Sequence, residues 1–482
     1  MATNAEMIDE AQQRLTSTMS ALQEDSEYYE ANRRLTTLGT AVPPEMRALK
    51  ANVGWSRLYL DALNERIGVN GFRYPGSIDA DPDLQRWWQI NELDQEAPIA
   101  HLESLIHGRC YVTVASPTPQ DIKLGHPRDV PMIRVESPRH MWVEVDPRTR
   151  RVSYAVRFYN DPSRQVPNNQ KNSYTLYLPN STINYDANSK GEYEETGRVD
   201  HKLGVVPVHP FFNRERVSDR FGRSEIIPEL RSAQDVATRV VMNMQAASEL
   251  MAVPQRLLFG VSKEEIDPSG GVDPYAKYKA FMANILTFGS PDASAVQLSA
   301  AELSNYTTVL QELAKHVASY TGLPPQYLSF ASDNPSSAEA IRSAESRLVK
   351  KSELKGKMYG NCWENVMRLG LLVMKQEIEE RAFRLETILA DPSTPTWAAK
   401  ADAAQKLVAG KPVIPVERAR IDLGYTPEER EDMKRMDEDE RDEMAAALLG
   451  QPSTKFQLTT ETSVAQNRAE KSAASQPNVV NE

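Results

Sequence analysis

Apolar residues recur at helical intervals through Met46, Leu49, Val53, Leu58, Leu60 and Leu63, so residues 1 to about 70 are predicted to be mostly helix. Gly68-Val69-Asn70-Gly71 reads as the turn that ends this stretch. Asp81 is a good N-cap, and Pro82 at the first helical position lacks only an N–H that would be unpaired anyway, so another helix is predicted from there. Pro98 predicts an interruption, with a shorter helical piece continuing to about Ile106 before Gly108.

The pattern then changes to strand. Cys110-Tyr111-Val112-Thr113-Val114 is rich in β-branched and aromatic residues, as are Ile133 to Val135, Met141 to Val145, Val152 to Phe158 and Ser173 to Leu178. Ser137-Pro138, Asp146-Pro147 and Asp161-Pro162 supply turn chemistry between them. An antiparallel β region follows from this, closed by the extended run Val205 to Pro210.

From Ser224 helix dominates again. Leu230, Ala233, Ala237, Val240, Met244, Ala247 and Met251 alternate three and four apart, a heptad seam on a helix of about 24 residues, roughly 36 Å long, that Pro254 ends. Ser299 and Glu302 form a candidate capping box for a second such helix. Its seam is Leu303, Tyr306, Leu310, Leu313, Val317 and Tyr320, and Gly322 with Pro324-Pro325 stops it. Between the two lies a compact insert, Leu257 to Leu298, of short apolar strands and Gly and Pro turns. Two long helices bracketing a small insert make a hairpin with a head; a plain helical hairpin in a globular core shows the same spacing.

A third long helix is predicted from the capping-box sequence Ser336-Ser337-Ala338-Glu339, with Ile341, Ala344, Leu348, Met358, Cys362, Val366, Leu369 and Val373 on its buried side. Gly356 and Gly360 argue against an unbroken run. Pro392 and Pro395 mark a boundary, after which a smaller helical unit runs from Trp397 to about Leu449. From Gln451 the chain is mostly Ser, Thr, Gln, Asn and Ala and is expected to be disordered. The predicted fold class is α+β, mostly helical.

At 482 residues the chain can hold more than one core, and about three domains is the prior for that length. Charged residues make up 26% and apolar ones 40%, the proportions of an ordinary globular chain, so disorder is expected only at the tail. No apolar stretch is long enough for a membrane span, and the polar start MATNAEMIDEAQQRL argues against a signal peptide. Cys110 and Cys362 form no CxxC pair and fit a reducing compartment. The net charge of −11 argues against gripping DNA through a broad basic surface, though not against DNA passing by unheld.

The sequence carries no familiar catalytic signature. The sequence has no GxxxxGK[ST] loop for nucleotide phosphates, and no HExxH, GxSxG or GxGxxG. His101 and His107, six apart on a predicted helix, point to different faces, so they read as surface or partly buried histidines and not as metal ligands. Residues 428–443 hold ten acidic and four basic residues, which reads as a solvated helix face. No catalytic residue, metal or cofactor is expected. Basic charge gathers on the third helix at Arg342, Arg347, Lys350, Lys351, Lys355 and Lys357, against Glu345 and Glu353. Arg342, Arg347, Lys350 and Lys351 are candidates for contacts to DNA phosphate or to a neighbouring subunit, with a solvated face as the plainer alternative.

The order of parts resembles the phage portal family, in particular the branch of long-tailed siphophages that includes those of actinobacteria. The likeness is carried by Asn52-Val53-Gly54-Trp55 with Asn64-Glu65-Arg66-Ile67-Gly68-Val69-Asn70-Gly71-Phe72-Arg73, by Val135-Glu136-Ser137-Pro138-Arg139 with Asp146-Pro147, and by Gly204-Val205-Val206-Pro207-Val208 through Asn213-Arg214 to Gly222-Arg223-Ser224-Glu225-Ile226. Tyr320-Thr321-Gly322-Leu323-Pro324 and Asn334-Pro335-Ser336-Ser337-Ala338-Glu339-Ala340 continue it, so it spans roughly residues 40 to 430.

The resemblance implies a dodecameric ring around an axial channel for double-stranded DNA. It maps residues 1–223 and 338–396 to a wing, 224–256 and 299–323 to two stem helices, 257–298 to a clip, 324–337 to a tunnel loop and 397–450 to a crown, with 451–482 as the tail. Stem packing would use Leu230, Val240, Met244, Met251, Leu303, Tyr306, Leu310, Leu313 and Val317, and Ser332, Asp333, Asn334, Ser336 and Ser337 would face DNA. The clip would meet the terminase large subunit and later the head-tail adaptor, and the wing the major capsid protein and scaffold. The protein would stand at the capsid vertex of the virion, assembled in the bacterial host cytoplasm, with no membrane partner. Twelve copies would carry roughly −132, a wall that repels phosphate and lets DNA slide. Two other readings are open: a nucleic-acid-processing enzyme with a helical hairpin insertion, and a head-completion or scaffold-binding protein that does not itself form the channel.

Overall fold

The computed structural model describes residues 3–33, 51–159, 172–187, 193–251, 256–259, 294–297, 303–328, 338–375, 378–393, 395, 397–409, 412–425 and 427–448. In chain order these form α1 (Asn4–Tyr29), α2 (Trp55–Asn64), β1 (Val69–Arg73), α3 (Pro82–Ile90), α4 (Leu93–His107), β2 (Arg109–Ala115), α5 (Pro119–Lys123), β3 (Met132–Glu136), β4 (Met141–Val145), β5 (Val152–Phe158), β6 (Asn172–Tyr177), β7 (Thr182–Ala187), β8 (Tyr193–Val199) and β9 (Val208–Phe212). They continue with α6 (Pro228–Met251), β10 (Arg256–Phe259), β11 (Ser294–Gln297), α7 (Ser304–Thr321), α8 (Ala338–Lys375), β12 (Glu386–Leu389), α9 (Trp397–Val408), α10 (Val416–Leu423) and α11 (Pro427–Leu448).

The predicted strands form, all antiparallel, in two main sheets: β3-β2-β9 and β4-β5-β6-β7-β8. Ile8, Ala11 and Leu15 of α1 pack on Trp142, Val156, Leu176 and Ile183 of the larger sheet, which turns the amphipathic N-terminal helix into its cover. The smaller sheet packs against α4 and α8 in the main core, where Trp363, Tyr359, Phe72, Phe211, Leu60 and Leu63 are fully buried.

Three local expectations are corrected. The 68–71 turn is instead the start of β1, because Val69 to Arg73 pairs with Leu389 to Glu386 of β12, a partner more than 300 residues away. The helix break falls at Asn91–Glu92, where Glu92 has φ 53, and α4 then runs on through Pro98. And α8 is one helix of 38 residues, about 57 Å, straight through Gly356 and Gly360. β12 lies directly on the helix there: a Cβ at Gly360 would crowd Thr387 Cβ at 3.3 Å, while one at Gly356 would make ordinary contact with Leu389 at 3.5 Å. The cost of the two glycines in helix propensity, about 1 kcal/mol each, is outweighed by this packing.

The two seamed helices form and pack against each other: α6 starts at Pro228 and α7 ends at Thr321, next to Gly322. Of the insert between them, the described residues are β10 and β11, which pair. The capping residues expected at Ser299, Glu302, Ser336 and Ser337, and the tail from Gln451, lie outside the described residues.

The chain divides into two compact units, Met1–Ser393 and Thr394–Glu482. In the second, Ala419 is buried, Arg430 is buried against Glu417 at 2.9 Å, Arg420 pairs with Asp437 at 2.8 Å, and the acidic side chains described on α11 are mostly exposed.

Candidate functional site

A buried polar cluster of the first unit stands just before α6 begins. The chain approaches it through a backbone crossing that two glycines make possible. Gly108 (φ +76), after α4, and Gly222 (φ +79), before α6, press together so closely that a Cβ on Gly222 would sit 1.8 Å from the Gly108 carbonyl oxygen. No L side chain fits there, and both dihedrals are ones that glycine adopts freely. The crossing is tied by Asn213 N–H to Gly108 O (2.8 Å), Arg223 N–H to Asn213 O (2.9 Å) and Glu225 N–H to Leu105 O (2.9 Å).

Glu225 emerges from this crossing 2% exposed. Its carboxylate accepts from Tyr59 Oη at 3.0 Å and Asn213 Nδ2 at 3.0 Å, pairs with Lys351 at 2.7 Å, and pairs with Lys355. Lys355, itself buried, also donates to Asn213 Oδ1 at 2.6 Å and lies 3.4 Å from Glu215, while Lys351 donates to Tyr59 Oη. Burial alone would push the Glu225 carboxyl upward, but Lys355 and Lys351 reverse that and hold it well below the usual carboxylate range. Burial and Glu225 together raise the Tyr59 phenol well above its ordinary value, so it stays a hydrogen-bond donor. A buried charge survives only with partners of this kind.

The first turns of α6 are held from other sides as well. Gln234 takes the Ser56 N–H (2.9 Å) and hydroxyl (2.6 Å) on its Oε1 and donates to Tyr28 O at 3.0 Å. Tyr28 donates to Asp235 at 3.0 Å, and Arg231 pairs with Asp25. The end of α7 is fastened too: Arg347 Nη1 donates to Ser319 O at 2.8 Å, meeting one of the carbonyls a helix C-terminus leaves unpaired. Tyr327, just beyond, donates to Glu345 at 2.9 Å, and Arg66 reaches the same Glu345 at 3.3 Å.

Beside this joint, His101 is 1% exposed and not a surface histidine. Trp363 Nε1–H donates to its Nε2 at 2.8 Å and its ring stacks on Tyr359 at 4.6 Å, so the ring is a core member held neutral, with burial lowering its pKa to about 3.

The residues named from sequence fall into three groups. Leu230, with Ala233 and Ala237, is buried; Val240, Met244, Tyr306, Leu310 and Leu313 are half-buried; Val317 is buried; Leu303 is exposed. The Met251 side chain, and all of Ser332, Asp333, Asn334, Ser336 and Ser337, lie outside the described residues. Of the basic candidates, Arg342 is exposed, Lys350 is exposed and pairs with Glu353 at 2.8 Å, and Arg347 and Lys351 are engaged within the chain as above. Sequence reasoning did not single out Tyr59, Gln234 or the pairing of Glu225 with Lys355. Their only signal was that Asn213 and Glu225 sit in segments that carried the family likeness. Among the described residues no group of three or more His, Cys, Asp or Glu side chains is placed to hold a metal, and no helix is long and apolar enough to cross a membrane.

Residues 8–445 match the family described as phage portal protein, SPP1 Gp6-like. The chain is 50% identical over 434 residues to the portal protein of Mycobacterium phage L5, covering 89% of this chain and 87% of that one, and shows the same identity and coverage with the portal protein of Mycobacterium phage D29. Among solved structures it is similar to a chain of the virion of a native gene transfer agent particle, at 13% identity, 85% and 94% coverage and a TM-score of 0.40. A chain of the neck of such a particle, computed with C12 symmetry, gives 14% identity, 83% and 97% coverage and a TM-score of 0.39.

Proposed function

Since the chain belongs to the SPP1 Gp6-like phage portal proteins, we propose that twelve copies of it form a ring at one capsid vertex, through which double-stranded DNA is packaged and ejected. The observation that carries this reading is the 50% identity with two mycobacteriophage portal proteins across nearly nine-tenths of the chain. The helix pair supports it. Within one copy, Leu230, Ala233, Ala237 and Val317 of the two seams are buried, Val240, Met244, Tyr306, Leu310 and Leu313 are half-buried, and Leu303 and Tyr320 are 39% and 46% exposed. An apolar seam left open in one subunit fits a wall made with its neighbours.

In this reading α6 and α7 are the stem, residues 257–298 the clip that docks the terminase large subunit and then the head-tail adaptor, and the body of unit one, with α8, the wing facing capsid protein and scaffold. Residues 397–450 form the crown, and the protein is a conduit with no turnover, assembled in the host cytoplasm. Residues 324–337 are the tunnel loop, with Ser332, Asp333, Asn334, Ser336 and Ser337 toward DNA. Arg342 and Lys350, both exposed on α8, are the basic residues proposed to meet phosphate or a neighbouring subunit, Lys350 by giving up its exposed pairing with Glu353.

Negative-stain microscopy with native mass spectrometry tests the reading: purified protein should give rings with a central hole and a mass of twelve chains. Monomers at high concentration across several salt conditions would sink it. Replacing Asp333 and Asn334 together with bulky residues should lower DNA packaging and leave ring assembly intact; equal packaging removes the tunnel-loop assignment.

A further inference from the structure

Arg347, Lys351 and Lys355 are spaced i, i+4, i+8 on α8, a strip about 12 Å long on one side of the helix. Every one of them is engaged inside the chain, and the partners come from two different places. Arg347 holds the last turn of α7 through Ser319 O, and its aliphatic chain lies over Gly322, where an added Cβ would meet Arg347 Cγ and Cδ at 3.0 Å. Lys351 and Lys355 hold Glu225, three residues before α6 begins, together with Tyr59 and Asn213. One rigid helix therefore fastens the incoming end of α6 and the outgoing end of α7. Between those ends the chain passes through both long helices and everything that joins them.

We propose that the Arg347–Lys351–Lys355 strip is an internal brace: these residues position the two long helices as one unit on the body, and do not serve as a nucleic-acid contact. The brace itself rests on intrachain geometry; that it sets the angle of a channel wall rests on the reading above. A buried carboxylate between two lysines suits the purpose because it is directional. Glu225 can move only if both lysines follow or if the charge is left unpaired in the interior, which is strongly disfavoured. A purely apolar contact would let the helix end slide.

Hydrogen exchange on the full chain, in whatever assembly it forms, reads the brace. The segments to follow are residues 228–235 of α6 and 318–322 of α7. Lys355→Met touches only the α6 side, and Arg347→Met only the α7 side. If the strip is one brace, each substitution speeds exchange about tenfold or more in both segments, and the double variant exceeds the stronger single variant by little, because the cooperative unit has already been released. If each substitution loosens only its own segment and the double variant multiplies the two effects, the contacts are separate and the proposal is overturned. Should Lys355→Met fail to fold because Glu225 loses its closest partner, Glu225→Gln with Lys355→Met removes both charges together and is read in the same way.

DNA binding measured against salt gives the competing outcome. Loss of about one counterion from the slope for each substitution, with exchange unchanged, would assign the strip to phosphate contact and overturn the brace. The parent protein's behaviour under the microscope separates the two proposals. Absence of rings defeats the portal assembly and leaves the exchange result to decide the brace.

Discussion

The near and far ends of the α6–α7 pair are built on the same apolar spacing and meet different fates. At the near end, Leu230, Ala233, Ala314, Val317 and Ala318 join the main core. There α6 is tied by Gln234, Asp235, Arg231 and Glu225 to α1, α2 and α8. Toward the far end Val240, Met244, Leu310 and Leu313 are half-buried and Leu303 and Val309 are exposed, although Met242 and Ala246 of α6 are buried, and α6 has no comparable polar ties among the described residues. A heptad seam says that a helix has an apolar face; it does not say whose surface will cover it. The polar groups around the near end do say. Buried hydrogen bonds and ion pairs are satisfied only by fixed partners, so they mark the half that belongs to its own subunit.

The sharpest way to break the near end is at the crossing that precedes it. Gly222→Ala should leave little or no soluble folded protein, since its Cβ would lie 1.8 Å from the Gly108 carbonyl oxygen and neither strand of the crossing can yield without losing the Asn213 and Arg223 hydrogen bonds. Yield and circular dichroism check this, and a variant with wild-type stability would mean the crossing is looser than its geometry. Glu225→Ala comes next. It leaves Lys355 buried without its closest counter-charge, for which about 3–5 kcal/mol is the usual cost, seen as a fall in Tm of several degrees or more. A loss below about 1 kcal/mol would show that water reaches Lys355 and that the joint is not dry.

A smaller effect, specific to pH, belongs to the core on which the near end rests. His101 has its pKa lowered to about 3 in the folded protein, against about 6.5 when unfolded. Between those values the unfolded chain binds the extra proton, so stability is full above about pH 6.5 and falls by about 1.4 kcal/mol per pH unit below it. From pH 6.5 to 5 that is about 2 kcal/mol. Glu225 does not interfere, because its depressed pKa makes its contribution complete above its ordinary range and lost only at lower pH. His101→Gln, which can still accept from Trp363 Nε1–H, should lessen the dependence of Tm on pH in this window without abolishing it, because His209, whose pKa burial lowers to about 4, acts in the same direction. An unchanged slope would mean that His101 does not titrate as its burial requires.

Legibility in the sequence followed the range of the interactions. The seams of α6 and α7 and the strands from β2 to β6 are repeated local patterns, and they were visible as such. β1 was not, because Gly68-Val69-Asn70-Gly71 has turn chemistry and becomes a strand only when β12 arrives from the far end of the chain. Gly356 and Gly360 misled for the same reason: their propensity argues for a break, and the strand lying on them supplies what propensity lacks. Pro98 carries the chemistry of a breaker, yet the chain turns at Glu92, a residue with no local preference for positive φ. At the joint, Tyr59, Asn213, Glu225 and Lys351 come from four separated stretches, and a carboxylate with two lysines almost 130 residues away has no pattern to read. Lys351 and Arg347 looked from their spacing like an outward basic face. Lys351 is half-buried against Tyr59 and Glu225, and Arg347, though exposed, gives an N–H to Ser319 O, so a charged stripe can be tied within the chain when the surrounding elements bring its partners.

The far end offers the smallest change in one chain and the clearest contrast with the near end. Leu303 and Val309 are 39% and 46% exposed, so Leu303→Ser with Val309→Ser removes little buried apolar area within the subunit. Leu303 stands at the N-cap of α7 and makes no side-chain cap bond, a position that serine suits, and Val309 is a surface residue whose substitution stays within about 0.5 kcal/mol, so the isolated chain should keep its Tm to within a few degrees. If a neighbour covers that seam, the cost reappears on association. With 39% and 46% of their surface left to cover, the two side chains contribute about 1 kcal/mol each there, repeated at every junction of a closed ring, so the ring should fall apart at concentrations where the parent holds together. Mass photometry across a dilution series reads this directly. Parent and variant assembling alike would mean that the open half of the seam is simply solvated, and the two ends would then differ in burial without differing in role.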